Sequence, residues 1–312
     1  MRKLFILIAL LGIFGLSYGA SKKLETNGAL IIQSDFGLKD GAVSEMQGVA
    51  FGVSKDLKIF NLTHEIPPYN IWEAAYRLYQ SAPYWPKGSV FVSIVDPGVG
   101  TSRKSIVLKT KNGLFFVSPD NGTLSLVAEK LGIEEVREID ERINRLKNSQ
   151  DSHTFHGRDV YSYTGARLAS GTISFEQVGK SLGKNLLKLE YQKPDLNDGV
   201  LKGNIPILDV AYGNVWTNIP KDLFDKFNLK IGKNACVHIY EEVHGQKVSR
   251  FNGALPYANS FGDVPEGKNL LFLNSLLNVS FAVNMGDFAK VYGIGSGQNW
   301  SVEITKCQAK NP

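Results

Sequence analysis

Partway along the chain the hydrophobic pattern changes period, and that change limits the fold more than any single motif does. From residue 29 to about 171, short apolar runs alternate with segments of helical spacing: "ALIIQS", "DGAVSEMQGVAFGVS", "KIFNLTH", "NIWEAAYRLYQSAPYW" and "SVFVSIV" come in that order. In the fourth of these, Ile71, Ala74, Ala75 and Leu78 share one helical face. "SIVLKTKNGLFFVS" predicts a hairpin turning at Asn112-Gly113, and "NGTLSLVAEKLG" and "RDVYSYTGARLASG" predict two further helices. Strands alternating with helices predict a three-layer α/β domain over residues 26–185. The polar stretch "LEYQKPDLNDGV", with its proline and glycine, predicts a linker, placed at 186–200. Beyond it, "VLKGNIPILDVA", "ACVHIYEEV", "KNLLFLNS", "SFAVNM" and "WSVEITK" are strand-like with few helical intervals. This predicts a small all-β domain, barrel-like or a sandwich, over 201–308. Clefts between domains are favoured ligand sites.

The first twenty residues stand outside this pattern. Arg2 and Lys3 precede an apolar run from Leu4 to Leu16, which is followed by small residues. A run of about a dozen residues is short for a bilayer core of roughly 30 Å. It predicts a secretory signal peptide over residues 1–20, and hence a periplasmic or secreted protein without stable membrane insertion after cleavage. Ser17 and Gly19 fit the −3 and −1 positions for cleavage after Gly19, whereas a cut after Ala20 places Tyr18 at −3. The competing reading is an uncleaved N-terminal anchor. Export permits a disulfide, and the chain has only Cys236 and Cys307. They are either one bridge tying the C-terminal tail or two free thiols; they cannot complete a zinc site alone. The net charge of +5, with no basic stripe interleaved with aromatics, predicts no nucleic-acid partner.

Four segments concentrate polar residues at the ends of elements. "SDFGLKDG" puts Asp35 just after the first strand, where α/β sheets bind ligands. Asp35 is either a hydrogen-bond acceptor for ribose hydroxyls or a helix cap, and Asp40 is the better cap. "VDPGVGTSR" turns sharply through Pro97, Gly98 and Gly100 and delivers Asp96 and Arg103: either an active-site edge or a tight loop closed by an ion pair. "SHTFHGRDV" carries His153 and His156 ahead of a helix, and Gly157 beside His156 predicts a close approach to the backbone. Two histidines three apart have metal-ligand spacing, but no third ligand is visible and no metal is expected. "LDVAYGNVWTNI" brackets an aromatic and a glycine with Asp209 and Asn214; it is either a bulged strand with turn residues or a base-recognition loop, since an Asn amide offers both a donor and an acceptor to adenine. There is no GxGxxG, P-loop, GxSxG or HExxH motif.

Taken in order, "SDFGLKDG", "THEIPPYN", "FVSIVDPGVGTSRKSIVL", "FVSPDNGTLSLV", "TFHGRD" and "YGNVWTNI" resemble the S-adenosylmethionine (SAM) hydroxide adenosyltransferases, or SAM hydrolases, relatives of fluorinase and chlorinase. The resemblance runs from about residue 29 to 306. It implies an α/β domain followed by a β-barrel-like domain. It implies a homotrimer holding SAM between the N-terminal domain of one subunit and the C-terminal domain of its neighbour, with no cofactor. It implies hydrolysis of SAM to adenosine and methionine by a triad that matches Asp96, Arg103 and His156. By the same motifs, Asp35 matches a ribose-binding acid, Tyr69 an aromatic of the pocket, Asp209 the group holding the methionine amine, and Asn214 the adenine contact. Phe261 and Ser275 match positions that stack on adenine and meet the methionine carboxylate. Fluorinase has tyrosine where Asp96 stands, threonine at Val99, Tyr-Ser at His156-Gly157 and arginine at Leu276. A carboxylate beside the nucleophile repels halide, so these departures favour water. SAM is a cytoplasmic metabolite while the leader predicts export, which keeps open a different adenosyl substrate or an exported nucleoside-binding protein.

Overall fold

The computed structural model describes residues 25–307, so the predicted leader lies outside the described residues. The first strands form a seven-stranded sheet in the order β2-β1-β3-β5-β4-β6-β7. Its members are β1 (Ala29–Ser34), β2 (Lys58–Thr63), β3 (Val90–Ile94), β4 (Ser105–Thr110), β5 (Phe115–Pro119), β6 (Ile133–Glu138) and β7 (Ser181–Gly183). β1, β2, β3 and β5 are parallel, and β4 runs antiparallel to both β5 and β6. β1 and β3 are buried along their whole length, which is why they read as unbroken apolar runs. The predicted Asn112-Gly113 turn joins β4 to β5, with Gly113 at φ 79°.

Helices cover both faces of this sheet. α1 (Ala42–Val53) and α4 (Tyr163–Ala169) pack on one, α2 (Ile71–Ser81) and α3 (Ser125–Leu131) on the other. Distinct apolar clusters lie on either side: Leu30, Ile32, Val92 and Val117 against α1 and α4, and Ile31, Phe91, Ile106 and Phe116 against α2 and α3. The alternation of neighbours along β1 and β3 between the two clusters is the period-2 geometry of a strand. The three-layer expectation is met.

The second half contains β8 (Asp195–Asn197), β9 (Val200–Asn204), β10 (Ile207–Leu208), β11 (Val215–Pro220), β12 (Asn234–Val243), β13 (Gln246–Pro256), β14 (Asn269–Leu273), β15 (Asn278–Val283) and β16 (Trp300–Lys306), with short helices α5 (Lys221–Phe227) and α6 (Phe288–Tyr292). Two sheets result, β10-β11-β15-β14 and β13-β12-β16-β9-β8. One apolar cluster, including Val215, Phe281, Val237 and Ile304, fills the space between them. An isolated bridge between Tyr257 and Leu271 links the sheets at one edge. The hydrogen bonds therefore make two packed sheets rather than the single closed ring of a barrel. Part of the predicted linker is itself ordered as β8, which pairs with β9.

Cys236 and Cys307 form a disulfide, resolving the alternatives left by the sequence. It fastens the chain just after β16 to β12, whose residues lie alongside. An apolar seam joins the two domains. Trp72, Tyr76 and Leu126 meet Ile207, Trp216 and Leu276, and the Trp72 indole N–H donates to the Pro206 carbonyl at 2.7 Å. No helix among the described residues is long and apolar enough to cross a membrane.

Candidate active site

Asp35 and Asp96 follow the carboxyl ends of adjacent parallel strands, since Ser34 of β1 lies beside Ile94 of β3. Together with Phe36, Tyr69, Val99, Phe155, His156 and Gly157 they line a cavity of about 270 Å³. The quoted motifs explain its walls. The Asn121 amide of "SPDNG" donates to the Val95 carbonyl at 2.8 Å and fixes the chain where it leaves β3. His64 of "THEIPPYN" is buried, with Nδ1 2.7 Å from the Ser34 hydroxyl and Nε2 3.1 Å from Asn61 Oδ1. Burial lowers the His64 pKa, against a smaller opposing effect of Glu65. Its carbonyl accepts the Gly37 N–H, so His64 pins the loop that carries Asp35.

Asp35 is not the cap of α1. The Asp40 carboxylate takes the Ala42 N–H at 3.0 Å, while Asp35 accepts the Tyr69 backbone N–H at 2.8 Å. Tyr69 sits at φ 67°, a conformation an L-residue holds only when its surroundings impose it. Its ring is exposed at the cavity rim.

Asp96 and Arg103 leave the same loop and meet as a fork. Arg103 Nε donates to Asp96 Oδ1 at 2.7 Å and Nη2 donates to Asp96 Oδ2. Nη2 also lies 3.4 Å from His156 Nδ1, and Nη1 donates to Ser105 Oγ at 3.1 Å and to the Lys104 carbonyl at 3.4 Å. A guanidinium has five N–H donors, so every one of them is engaged within the protein. Arg103 acts on its surroundings through Asp96 rather than through a spare N–H. It also lies over the Tyr161 ring, 5.5 Å from the centroid.

His156 is buried at the start of the helical turn Gly157–Ser162, which runs on into α4. Burial is the largest influence on its ring and lowers its pKa, with Glu141 raising it and Arg145 and Arg103 lowering it in turn. A pKa held below the ordinary 6.5 favours the neutral ring at pH 7. A Cβ on Gly157 would approach Ile94, Phe155 and Phe36 at 3.2–3.3 Å, which is the close approach the sequence predicted there. His153 is exposed, and no cluster of three metal-ligating side chains exists among the described residues.

The remaining predicted residues lie elsewhere. Asp209, Asn214, Phe261 and Ser275 line a second cavity of about 760 Å³ on the β domain, with Tyr212, Trp216, Asn274, Met285 and Asp287. Asn214 donates to Asp209 Oδ2 at 3.1 Å, and Gly213 at φ 64° turns the chain between them. The segment forms a turn at 209–214 and then runs into strand β11. Phe261 packs on Phe272 with ring centroids 5.0 Å apart and remains 40% exposed, leaving part of its ring open to the cavity. Ser275 is exposed on the connection between β14 and β15. No residue lines both cavities. One chain thus carries two separate cavities, with Asp96 and His156 at one and Asp209, Asn214, Phe261 and Ser275 at the other.

The family model of the SAM hydroxide adenosyltransferase N-terminal domain matches residues 30–179, and that of the C-terminal domain matches residues 203–301. The chain belongs to the SAM hydroxide adenosyltransferase family. Among curated relatives, a protein named (R)-S-adenosyl-L-methionine hydrolase from Methanocaldococcus jannaschii is 38% identical over 263 residues, covering 81% of this chain and 92% of the relative. A fluorinase from Actinopolyspora mzabensis is 24% identical over 303 residues, covering 89% and 97%. A solved structure described as an uncharacterized conserved protein from Thermotoga maritima superposes with a TM-score of 0.80 at 36% identity, covering 89% of this chain and all of that one. Three side chains near Asp96, Arg103 and His156 escaped the motif reading: Ser105, Tyr161 and Glu141. Ser105 and Tyr161 sit in apolar strand and helix patterns, where a hydroxyl looks like ordinary core. Nothing in the sequence signals that their oxygens are 3.2 Å apart.

Proposed function

We propose that the protein hydrolyses SAM to adenosine and methionine, with Asp96, Arg103 and His156 acting on the attacking water. The observation that carries this reading is Asp96 itself: a carboxylate on the cavity wall, held in a fixed orientation by the Arg103 fork. An anionic wall disfavours a halide and accepts a hydrogen bond from water. The sulfonium leaves as neutral methionine sulfur, and in-line attack on the ribose 5′ carbon gains most from alignment. Water's pKa near 15.7 makes free hydroxide scarce, so its proton must be taken as the C–O bond forms.

The geometry favours Asp96 as the acceptor. A guanidinium only donates, so the His156 nitrogen facing it is the acceptor nitrogen, and the neutral ring carries its proton on Nε2. That leaves His156 as a donor that orients water and Asp96 as the base. Asp35 supplies the ribose contact and Tyr69 an aromatic wall of the pocket. Asp209, Asn214, Phe261 and Ser275 supply the methionine and adenine contacts from a neighbouring subunit of a homotrimer, a reading supported by the separation of the two cavities on one chain. Export is part of the proposal; the N-terminal leader pattern and the Cys236–Cys307 bridge both support it.

The test is incubation with SAM, chromatography of the products, and mass spectrometry in ¹⁸O-water. Adenosine and methionine should form, with label in the 5′ hydroxyl. Asp96→Asn and His156→Ala should each lower turnover about a hundredfold while SAM binding changes less. Equal loss of binding and turnover would show that the two residues hold the ligand rather than activate water.

A further inference from the structure

Hydrolysis of a sulfonium releases a proton. SAM carries one positive charge more than the adenosine and methionine it becomes, and that charge leaves as H⁺. Asp96 faces the cavity on one side, and on the other its Oδ2 lies 3.5 Å from the Tyr161 hydroxyl. Tyr161 is fully buried, and its hydroxyl is 3.2 Å from Ser105 Oγ, which is also buried. Ser105 Oγ in turn lies 3.5 Å from Glu141 Oε1. The Glu141 side chain is 36% exposed and reaches solvent, and its other oxygen accepts from Arg145 Nη1 at 2.7 Å.

We propose that Tyr161, Ser105 and Glu141 form an outlet that carries the reaction's proton from Asp96 to solvent. The proposal rests on the hydrolase reading. The water oxygen bonds to C5′, the C5′–S pair goes to sulfur, and the water proton goes to Asp96. Protonated Asp96 gives that proton to the Tyr161 oxygen, Tyr161 passes its own to Ser105, and Ser105 passes its own to Glu141. Glu141 releases it to water, and the hydroxyls return to their starting orientation. No oxidant, reductant or further reactant is involved. Both hydroxyls can donate and accept, as such a chain needs. Burial pushes the Tyr161 phenol far up, so it relays as a neutral hydroxyl and does not store a negative charge. Ser105 also accepts from Arg103, so the outlet is anchored to the fork it serves.

The experiment measures kcat and KM for SAM in the parent, Tyr161→Phe and Glu141→Gln proteins, with imidazole titrated at constant ionic strength. Each substitution should lower kcat about tenfold and leave KM within about twofold. Imidazole, a small mobile proton acceptor, should restore much of the lost turnover in both variants and barely affect the parent. Glu141→Gln changes a half-exposed side chain, so it reports even if Tyr161→Phe folds poorly. Unchanged kcat in either folded variant overturns the outlet, and so does a lowered kcat that imidazole leaves untouched, because a purely structural defect gains nothing from buffer. Absence of adenosine from the parent would overturn the hydrolase reading itself, before any variant is compared.

Discussion

His64 shows how much of the site depends on a residue that never touches the cavity. Its ring is held by Ser34 and Asn61, and burial lowers its pKa below the ordinary 6.5. The unfolded chain therefore binds a proton at this residue more readily than the folded one. Stability rises with pH across the window between the lowered value and 6.5, is fully present above 6.5, and is lost as pH falls through the folded value. His156 is shifted in the same direction and adds to the slope. Urea midpoints measured from pH 7.5 down to 5 should fall for the parent. The decline should be shallower for His64→Gln, which removes one titrating group. An identical slope in the variant would show that His64 does not report on this window. The motif that contains His64 was visible in the sequence, but its purpose was not, since a ring that anchors a neighbouring strand leaves no spacing signature.

At the scale of elements, the turn at 209–214 is the most constrained feature of the β domain. Gly213 sits at φ 64°, and a Cβ there would collide with the carboxylate of Asp287, the side chain that caps α6. Gly213→Ala must therefore move the turn, the cap or both. The expected cost is about 1–3 kcal/mol, read from urea denaturation, together with weaker SAM binding because Asp209 and Asn214 flank the same turn. A variant with parent stability and parent KM would mean the loop tolerates the shift. The elements themselves were unevenly legible. β1, β3, α1 and α2 announced themselves because each buries a regular apolar set. β6, with sequence "IEEVRE", and the largely exposed β13 gave no apolar alternation to read. Barrel and sandwich, the two expectations for this domain, could not be told apart for a similar reason. Strand-like segments can be counted in a sequence, but whether their outer edges pair depends on twist and register; among the described residues the two sheets are linked by one isolated bridge, Tyr257 with Leu271. Arg103 and His156, 53 residues apart, were brought together by family motifs rather than by any local pattern.

At the scale of the whole molecule, the disulfide and the separation of the two cavities are the features to test. Cys236 and Cys307 close a loop spanning 71 residues, and chain-entropy arguments put the value of such a crosslink at about 4 kcal/mol. Reduction, or Cys307→Ser, should lower the thermal midpoint clearly, and reductant should cause no further loss in the Ser variant. The two cavities have a different consequence. If a working centre needs one wall from each of two copies, no isolated copy can turn over substrate, and a defect on one wall is not a defect on the other. Asp96→Asn and Asn214→Ala proteins, each nearly inert alone, should then rescue one another when unfolded together in equal amounts and reassembled. Random mixing around a closed ring leaves about a quarter of the centres with both walls intact. Regained activity near that fraction is the mark of walls shared between copies; none at all is the mark of a centre built within one.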